Sequence, residues 1–289
     1  MSTQPAANEE GPLALVCGGG SLPLAVADFV SARGREVMLF PLRGTAAPGD
    51  YAQRPHQWIY IGEFGKFFRL ARAAGCRDLV FIGSLVRPSF WQVRPDWQTL
   101  MALPRVLTAY RGGDDHLLRS MGRLIEEHGF RLLGAHEVAP EILVPEGALA
   151  RVRPSERDQA DIALGLDYLH AIGPFDVGQA AVVAGKHVLA VEAVEGTDAM
   201  LARVAELRAS GRIRIAAGGV LVKAPKRGQD LRFDMPSIGP RTVEGVVRAG
   251  LAGIAVVAGS TIVAEPSLLV QAADRAKIFV VGTPAGRKS

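Results

Sequence analysis

The residues best equipped for chemistry lie between Lys223 and Thr242, where five basic and two acidic side chains share twenty positions with glycines and prolines that fix the backbone. Carboxylates among cations can orient water and bind Mg²⁺, while Lys and Arg receive phosphate charge. That is the equipment of phosphoryl transfer. If the segment is extended, period-two geometry puts Asp230, Arg232 and Asp234 on one face. A second concentration, Glu192-Ala-Val-Glu195-Gly-Thr197-Asp198, crowds three carboxylates around a strand-to-helix connection. Their repulsion calls for a hard cation or for basic neighbours, unless Thr197 or Asp198 merely caps the helix and the others are solvated.

Two glycine-containing turns come earlier. Gly18-Gly19-Gly20-Ser21-Leu22 follows an apolar run and opens a helix, so its free amides and the helix dipole suit a phosphate or carboxylate. Pro23 stands where a dinucleotide fingerprint needs its third glycine, and Phe40-Pro41-Leu42-Arg43 offers no acid for a ribose, which argues against a nicotinamide oxidoreductase. Gly112-Gly113-Asp114-Asp115 precedes another helix, where one aspartate caps and the second is available to a metal ion or a sugar hydroxyl. There is no Walker A motif, HExxH or GxSxG, and the six histidines are scattered, so any metal sits among oxygens and Mg²⁺ suits it better than Zn²⁺.

These motifs need two domains to position them. The chain has 289 residues, 48% hydrophobic and 21% charged, ample for buried cores. A net charge of +4 without a basic run disfavours nucleic acid. Cys17 and Cys76 make no CxxC and read as reduced structural thiols. Residues 1–11, with Glu9 and Glu10 where a secretory leader carries cations, read as a flexible tail, and no apolar stretch is long enough to span a membrane.

Residues 12–139 alternate strands (Leu13–Cys17, Glu36–Phe40, Trp58–Ile61, Asp78–Gly83) with helices (Leu22–Ala32, Phe64–Ala74, Gln98–Ala109, Asp115–His128), a βαβ rhythm that predicts a Rossmann-like parallel sheet. A proline-containing linker over 140–154 leads to a helix capped by Ser155. Residues 155–289 then predict a mixed-sheet α/β domain, with a hairpin turning at Gly185–Lys186 and helices near Ala199–Ser210 and Val243–Ala249. The fold class expected is α/β, two different domains with the active-site cleft between them.

Taken in order, GGGSLP, GGDDHLLR, DVGQ, AVEAVEGTDAM and KAPKRGQDLRFDMPSIGPRT resemble the LpxI-type UDP-2,3-diacylglucosamine pyrophosphatases of lipid A biosynthesis over nearly the whole chain. The resemblance implies Mg²⁺-dependent cleavage of a UDP-linked diacyl sugar to UMP and a sugar 1-phosphate, at the cytoplasmic face of a Gram-negative inner membrane with peripheral membrane contact; a homodimer is compatible with it. Residues and resemblance together nominate Asp230, Asp198, Asp234 and Lys223 as catalytic, with Asp230, Asp198 and Glu192 as metal ligands. Gly19, Gly20, Ser21, Leu22, Asp114, Asp115, Gln179, Thr197, Lys226, Gln229 and Arg232 are nominated to bind substrate. The alternative is a nucleotide-sugar or phosphometabolite binding protein without catalysis.

Overall fold

The computed structural model describes residues 10–84, 94–101, 114–214, 218–226 and 229–284, with the backbone alone over 114–119. It divides into two compact units, Met1–Glu141 with Asp230–Phe233, and Ile142–Gln229 with Asp234–Ser289.

In the first unit, β1 (Leu13–Cys17) is apolar throughout and buried at every position, as a strand covered on both faces must be. The chain continues through α1 (Leu22–Ala32), β2 (Val37–Pro41), α2 (Phe64–Ala73), β3 (Asp78–Ile82), α3 (Asp114–Glu127), β4 (Arg131–Leu133) and a single turn of helix, α4 (Ala135–Val138). The four strands are parallel in the order β2-β1-β3-β4, the Rossmann-like arrangement expected. Trp58–Ile61 is not a strand. Among the described residues it meets the β2 side of the sheet at the isolated parallel bridge Leu42↔Ile59, where Ile59 N donates to the Pro41 carbonyl at 3.2 Å, while the Trp58 and Tyr60 rings lie against Arg43. Conversely, β4 escaped the periodicity, being only three residues long. An aromatic cluster fills the core: Phe67 lies edge-on to Phe40 at 4.9 Å, and Phe68 stacks between His128 at 4.3 Å and Phe130 at 5.5 Å.

The amino ends of the strands are pinned by a buried carboxylate. Asp78, at the first residue of β3, accepts from Arg35 Nη2 at 2.5 Å and from Arg131 Nε and Nη2 at 2.7 and 2.8 Å. Burial pushes the Asp78 carboxyl up, but the two guanidiniums outweigh burial and hold it below the ordinary carboxylate range.

The second unit contains β5 (Gly147–Ala148), α5 (Glu156–Ile172), β6 (Ala180–Ala184), β7 (His187–Val191), α6 (Gly196–Ala209), β8 (Val220–Lys223), β9 (Ser237–Ile238), α7 (Pro240–Arg248), β10 (Gly253–Val257), β11 (Ile262–Val263), α8 (Pro266–Ala276) and β12 (Phe279–Thr283). Its main sheet runs β5-β12-β10-β8-β6-β7, with β12, β10 and β8 parallel and the other three joined antiparallel, hence mixed as expected; β9 and β11 pair separately. Alternation along β8 decides the layers. Val220 and Val222 face Ile162 and Leu169 of α5, while Leu221 joins Met200 and Leu201 of α6 and Val243 and Val246 of α7. α5 approaches so closely that a Cβ on Gly165 would sit 2.6 Å from Val222 Cγ2.

Ser155 caps α5 as expected, its hydroxyl accepting from Asp158 N while the Asp158 carboxylate accepts from Ser155 N. The β6–β7 hairpin turns at Gly185 and Lys186, with φ of 58° and 63°, and buried Asp161 of α5 accepts both turn amides, at 2.9 and 2.6 Å. α6 and α7 each begin three residues before the expected start, at Gly196 and Pro240; Pro240 takes the first helical position, where its missing N–H costs nothing.

The Asp78 clamp yields a pH-dependent prediction. Because the folded carboxyl titrates below its unfolded value, its stabilisation is present above about pH 4 and is lost as the pH falls through the folded pKa. Asp78→Asn should cost about 2–4 kcal/mol at neutral pH, discounted for the exposed Arg131, and the gap to the unsubstituted protein should narrow in urea titrations carried from about pH 5 downward.

Candidate active site

Nine residues of the second unit, drawn from the end of β8 and the loops around it, are joined into one hydrogen-bonded chain. Lys223 closes β8 with its side chain only 7% exposed, and its Nζ donates to Thr197 Oγ1 at 2.9 Å and to the Ser237 carbonyl at 3.1 Å. Thr197 Oγ1 in turn donates to Glu192 Oε1 at 2.7 Å, and Glu192 Oε2 accepts from the Gln179 amide at 3.1 Å. Gln179 Nε2 donates to Asp234 Oδ2 at 2.7 Å, and Gln229 Nε2 donates to the same oxygen. Gln229 Oε1 accepts from the Lys226 amide at 2.9 Å, and the Lys226 ammonium meets Asp176.

Local structure explains why these side chains converge. The β-strands deliver Gln179 and Lys223 to one edge, where Ala224 N donates to the Gln179 carbonyl at 3.0 Å. Gly178 lets the two connections close up: a Cβ there would lie 2.1 Å from the Glu192 carbonyl oxygen, so no larger residue fits. Glu195 is the N-cap of α6 without a side-chain cap, which places Thr197 and Asp198 in the first helical turn. The hydroxyl of Thr197 therefore links Glu192 to Lys223 and does not cap the helix.

Burial lowers the Lys223 pKa against the pull of Glu192, Asp198 and Asp234, which favour its ammonium form. Asp198 is itself paired with Arg241, so the carboxylates that favour the Lys223 ammonium already have partners of their own.

Seven nominated residues belong to this chain: Lys223, Thr197, Glu192, Gln179, Asp234, Gln229 and Lys226. Asp198 stands beside it on the exposed face of α6, where it accepts from Arg241 Nη2 at 2.8 Å. Asp230 and Arg232 belong to the first unit. The condition of an extended segment is not met over residues 230–233: they turn, with Phe233 N donating to the Asp230 carbonyl at 3.1 Å. The turn brings Arg232 onto Asp230 as a fork, Nε to Oδ1 at 2.9 Å and Nη2 to Oδ2 at 2.7 Å. That pairing, helped by Glu126 on α3, raises the guanidinium pKa. Phe233 anchors the same turn against Phe81 at 5.5 Å.

Gly19, Gly20, Ser21 and Leu22 make the turn from β1 into α1. Two of the loop's glycines serve packing: a Cβ on Gly18 would lie 2.6 Å from the Ser84 carbonyl oxygen and one on Gly19 2.9 Å from that of Thr45. Gly20, at φ 94° with open space around it, is required by its backbone alone. Asp114 and Asp115 open α3, and their side chains lie outside the described residues. Sequence reasoning passed over Asp176, although DVGQ was singled out, and Glu126, which sits 106 residues from its partner Arg232 with no local signal.

The oxygen-rich donor set suits a hard cation. Among the described residues, however, no three His, Cys, Asp or Glu side chains gather to hold one. The expected trio of Asp230, Asp198 and Glu192 is not a ready-made cage, because each carboxylate already has protein partners in Arg232, Arg241, or Thr197 with the Gln179 amide.

Lys223→Met keeps the chain length while removing the charge at the centre of the network. It should lower stability by about 3 kcal/mol in chemical denaturation, because Glu192 and its acidic neighbours lose their buried counter-charge. Thr197→Val should cost less, since Lys223 keeps the Ser237 carbonyl.

The model of the LpxI N-terminal domain matches residues 12–142 and that of the LpxI C-terminal domain matches residues 145–281. The UDP-2,3-diacylglucosamine pyrophosphatase LpxI of Caulobacter vibrioides is 45% identical over 271 residues, covering 93% of this chain and 96% of the relative. With both domain models matched in order and this identity sustained across nearly the full length, the chain belongs to the LpxI family.

Proposed function

We propose that the protein hydrolyses the pyrophosphate of UDP-2,3-diacylglucosamine, water adding to one phosphorus while the P–O–P bridge breaks, to give UMP and 2,3-diacylglucosamine 1-phosphate. The single observation that carries this reading is the buried Lys223 network, seven of whose members were nominated from the sequence, in a chain whose 45%-identical relative bears that name.

In this reading Lys223 supplies positive charge that costs no reorganisation when the pyrophosphate charge shifts, because Thr197 and the Ser237 carbonyl hold its ammonium in place. Gln179 and Gln229 fix Asp234 from two sides. Asp230 orients the attacking water, itself held by the Arg232 fork. Mg²⁺, when bound, would neutralise charge on the phosphate oxygens, held by one or two of the nominated carboxylates Asp230, Asp198 and Glu192.

The acyl chains direct attention to the rim of the same loops. Phe175, Val177 and Val194 are 76%, 40% and 99% exposed, and they flank Gln179 and Glu192 in sequence. We assign them to peripheral contact with the inner face of an inner membrane. No described helix is long and apolar enough to cross one.

Asp230→Ala should reduce release of UMP from UDP-2,3-diacylglucosamine by at least about a hundredfold in a folded protein, and EDTA should abolish it. Near-normal turnover in the variant removes Asp230 from the mechanism, and full turnover in EDTA removes the metal. Cosedimentation with anionic phospholipid vesicles should fall on Phe175→Ser; unchanged binding sinks the membrane assignment.

A further inference from the structure

The first unit carries a pair of arginines that the network above does not use. Arg43 leaves the carboxyl end of β2 and lies over two aromatic rings, its Cζ 5.3 Å from the Trp58 centroid and 5.5 Å from that of Tyr60. Arg94 lies over the same Tyr60 ring at 4.1 Å. The platform is fixed from below. Trp58 stands edge-on to buried Tyr51 at 5.9 Å and to His56 at 6.0 Å, and the Arg43 amide donates to the Ile59 carbonyl at 2.9 Å.

Neither guanidinium has a carboxylate partner among the described residues. The nearby acids are otherwise engaged: Glu63 accepts from Lys66 Nζ at 2.9 Å and from the Tyr60 amide at 2.8 Å, and Asp96 accepts from the amides of Lys66 and Thr99. Both guanidiniums therefore lie over aromatic rings without a carboxylate partner among the described residues, which leaves their N–H groups to an acceptor. Their position matters as much as their charge. The turn after β2 abuts the β1–α1 glycine loop, with Leu42 N donating to the Cys17 carbonyl at 2.9 Å and Thr45 packed against Gly19. Arg43 thus stands beside the start of α1 at the carboxyl ends of parallel strands, where open α/β sheets take their ligands.

We infer that Arg43 and Arg94, on their Trp58–Tyr60 platform beside Gly19–Ser21, form a phosphate-binding site for the nucleoside monophosphate end of the substrate. This inference rests on the pyrophosphatase reading for the identity of the nucleotide, while the site itself is read from the stacked forks. It gives the first unit a recognition task distinct from the Lys223 network of the second.

The test is calorimetric titration of the full-length protein with UMP, and with uridine as the probe lacking phosphate. Arg43→Ala and Arg94→Ala should each weaken UMP binding by about tenfold to a hundredfold, as expected for loss of a charge-assisted hydrogen bond, and leave uridine binding unchanged. Arg43→Lys should fall between, because it keeps the charge and loses the fork. Unaltered UMP affinity in a folded Arg43→Ala/Arg94→Ala protein, equal losses for UMP and uridine, or no UMP binding by the unsubstituted protein overturns the site. If UMP binds through these arginines but UDP-2,3-diacylglucosamine is not cleaved, the site stands and the pyrophosphatase reading fails.

Discussion

An ammonium group at the end of a buried strand keeps its charge only if the surrounding protein replaces the water it has lost. Lys223 meets that constraint through Thr197, the Ser237 carbonyl, and the negative charge of Glu192, Asp198 and Asp234. The arrangement in turn dictates its neighbours. Glu192 must lie where Thr197 reaches it, so the connection between β7 and α6 has to pass over the end of β8. Gly178 has to be a glycine because the chain entering β6 runs against the Glu192 carbonyl. A network of this kind is fully satisfied or it is a liability, which is why its members extend through Gln179 and Gln229 to Asp234.

The first unit separates stability from recognition along its strands. At their amino ends, Asp78 binds Arg35 and Arg131 and ties the start of β3 to the entries of β2 and β4. At their carboxyl ends, Gly18 and Gly19 let backbone approach backbone, and Arg43 lies on an aromatic shelf. Charges that pair with each other stabilise the fold, whereas charges held by stacking keep their hydrogen-bonding edges for a ligand. The second unit makes the same division with different parts, since Asp161 spends both carboxylate oxygens on the Gly185–Lys186 turn and takes no part in the site.

Much of this was legible in the residues themselves. The alternation of apolar runs and amphipathic stretches determined two α/β units, one with a parallel and one with a mixed sheet, because strand burial and helix amphipathicity are written in local periodicity. Ser155, the Gly185–Lys186 turn and the glycine loop were fixed by local backbone chemistry. The density of charge in Glu192–Asp198 and Lys223–Asp234 marked much of the network, although Asp176 and Gln179 lie outside both stretches.

Tertiary structure alone decided the partnerships. That Thr197 bridges Glu192 to Lys223 instead of capping α6, that the 230–233 turn folds Arg232 onto Asp230, and that Glu126 completes that pair 106 residues away are consequences of packing, which no spacing encodes. The same holds for the strand expected at Trp58–Ile61, whose alternation fits a sheet but which makes an isolated bridge at Ile59 in place of a ladder. Periodicity reports which face of an element is buried; which polar atom meets which is settled only when every buried donor and acceptor must find a partner at once.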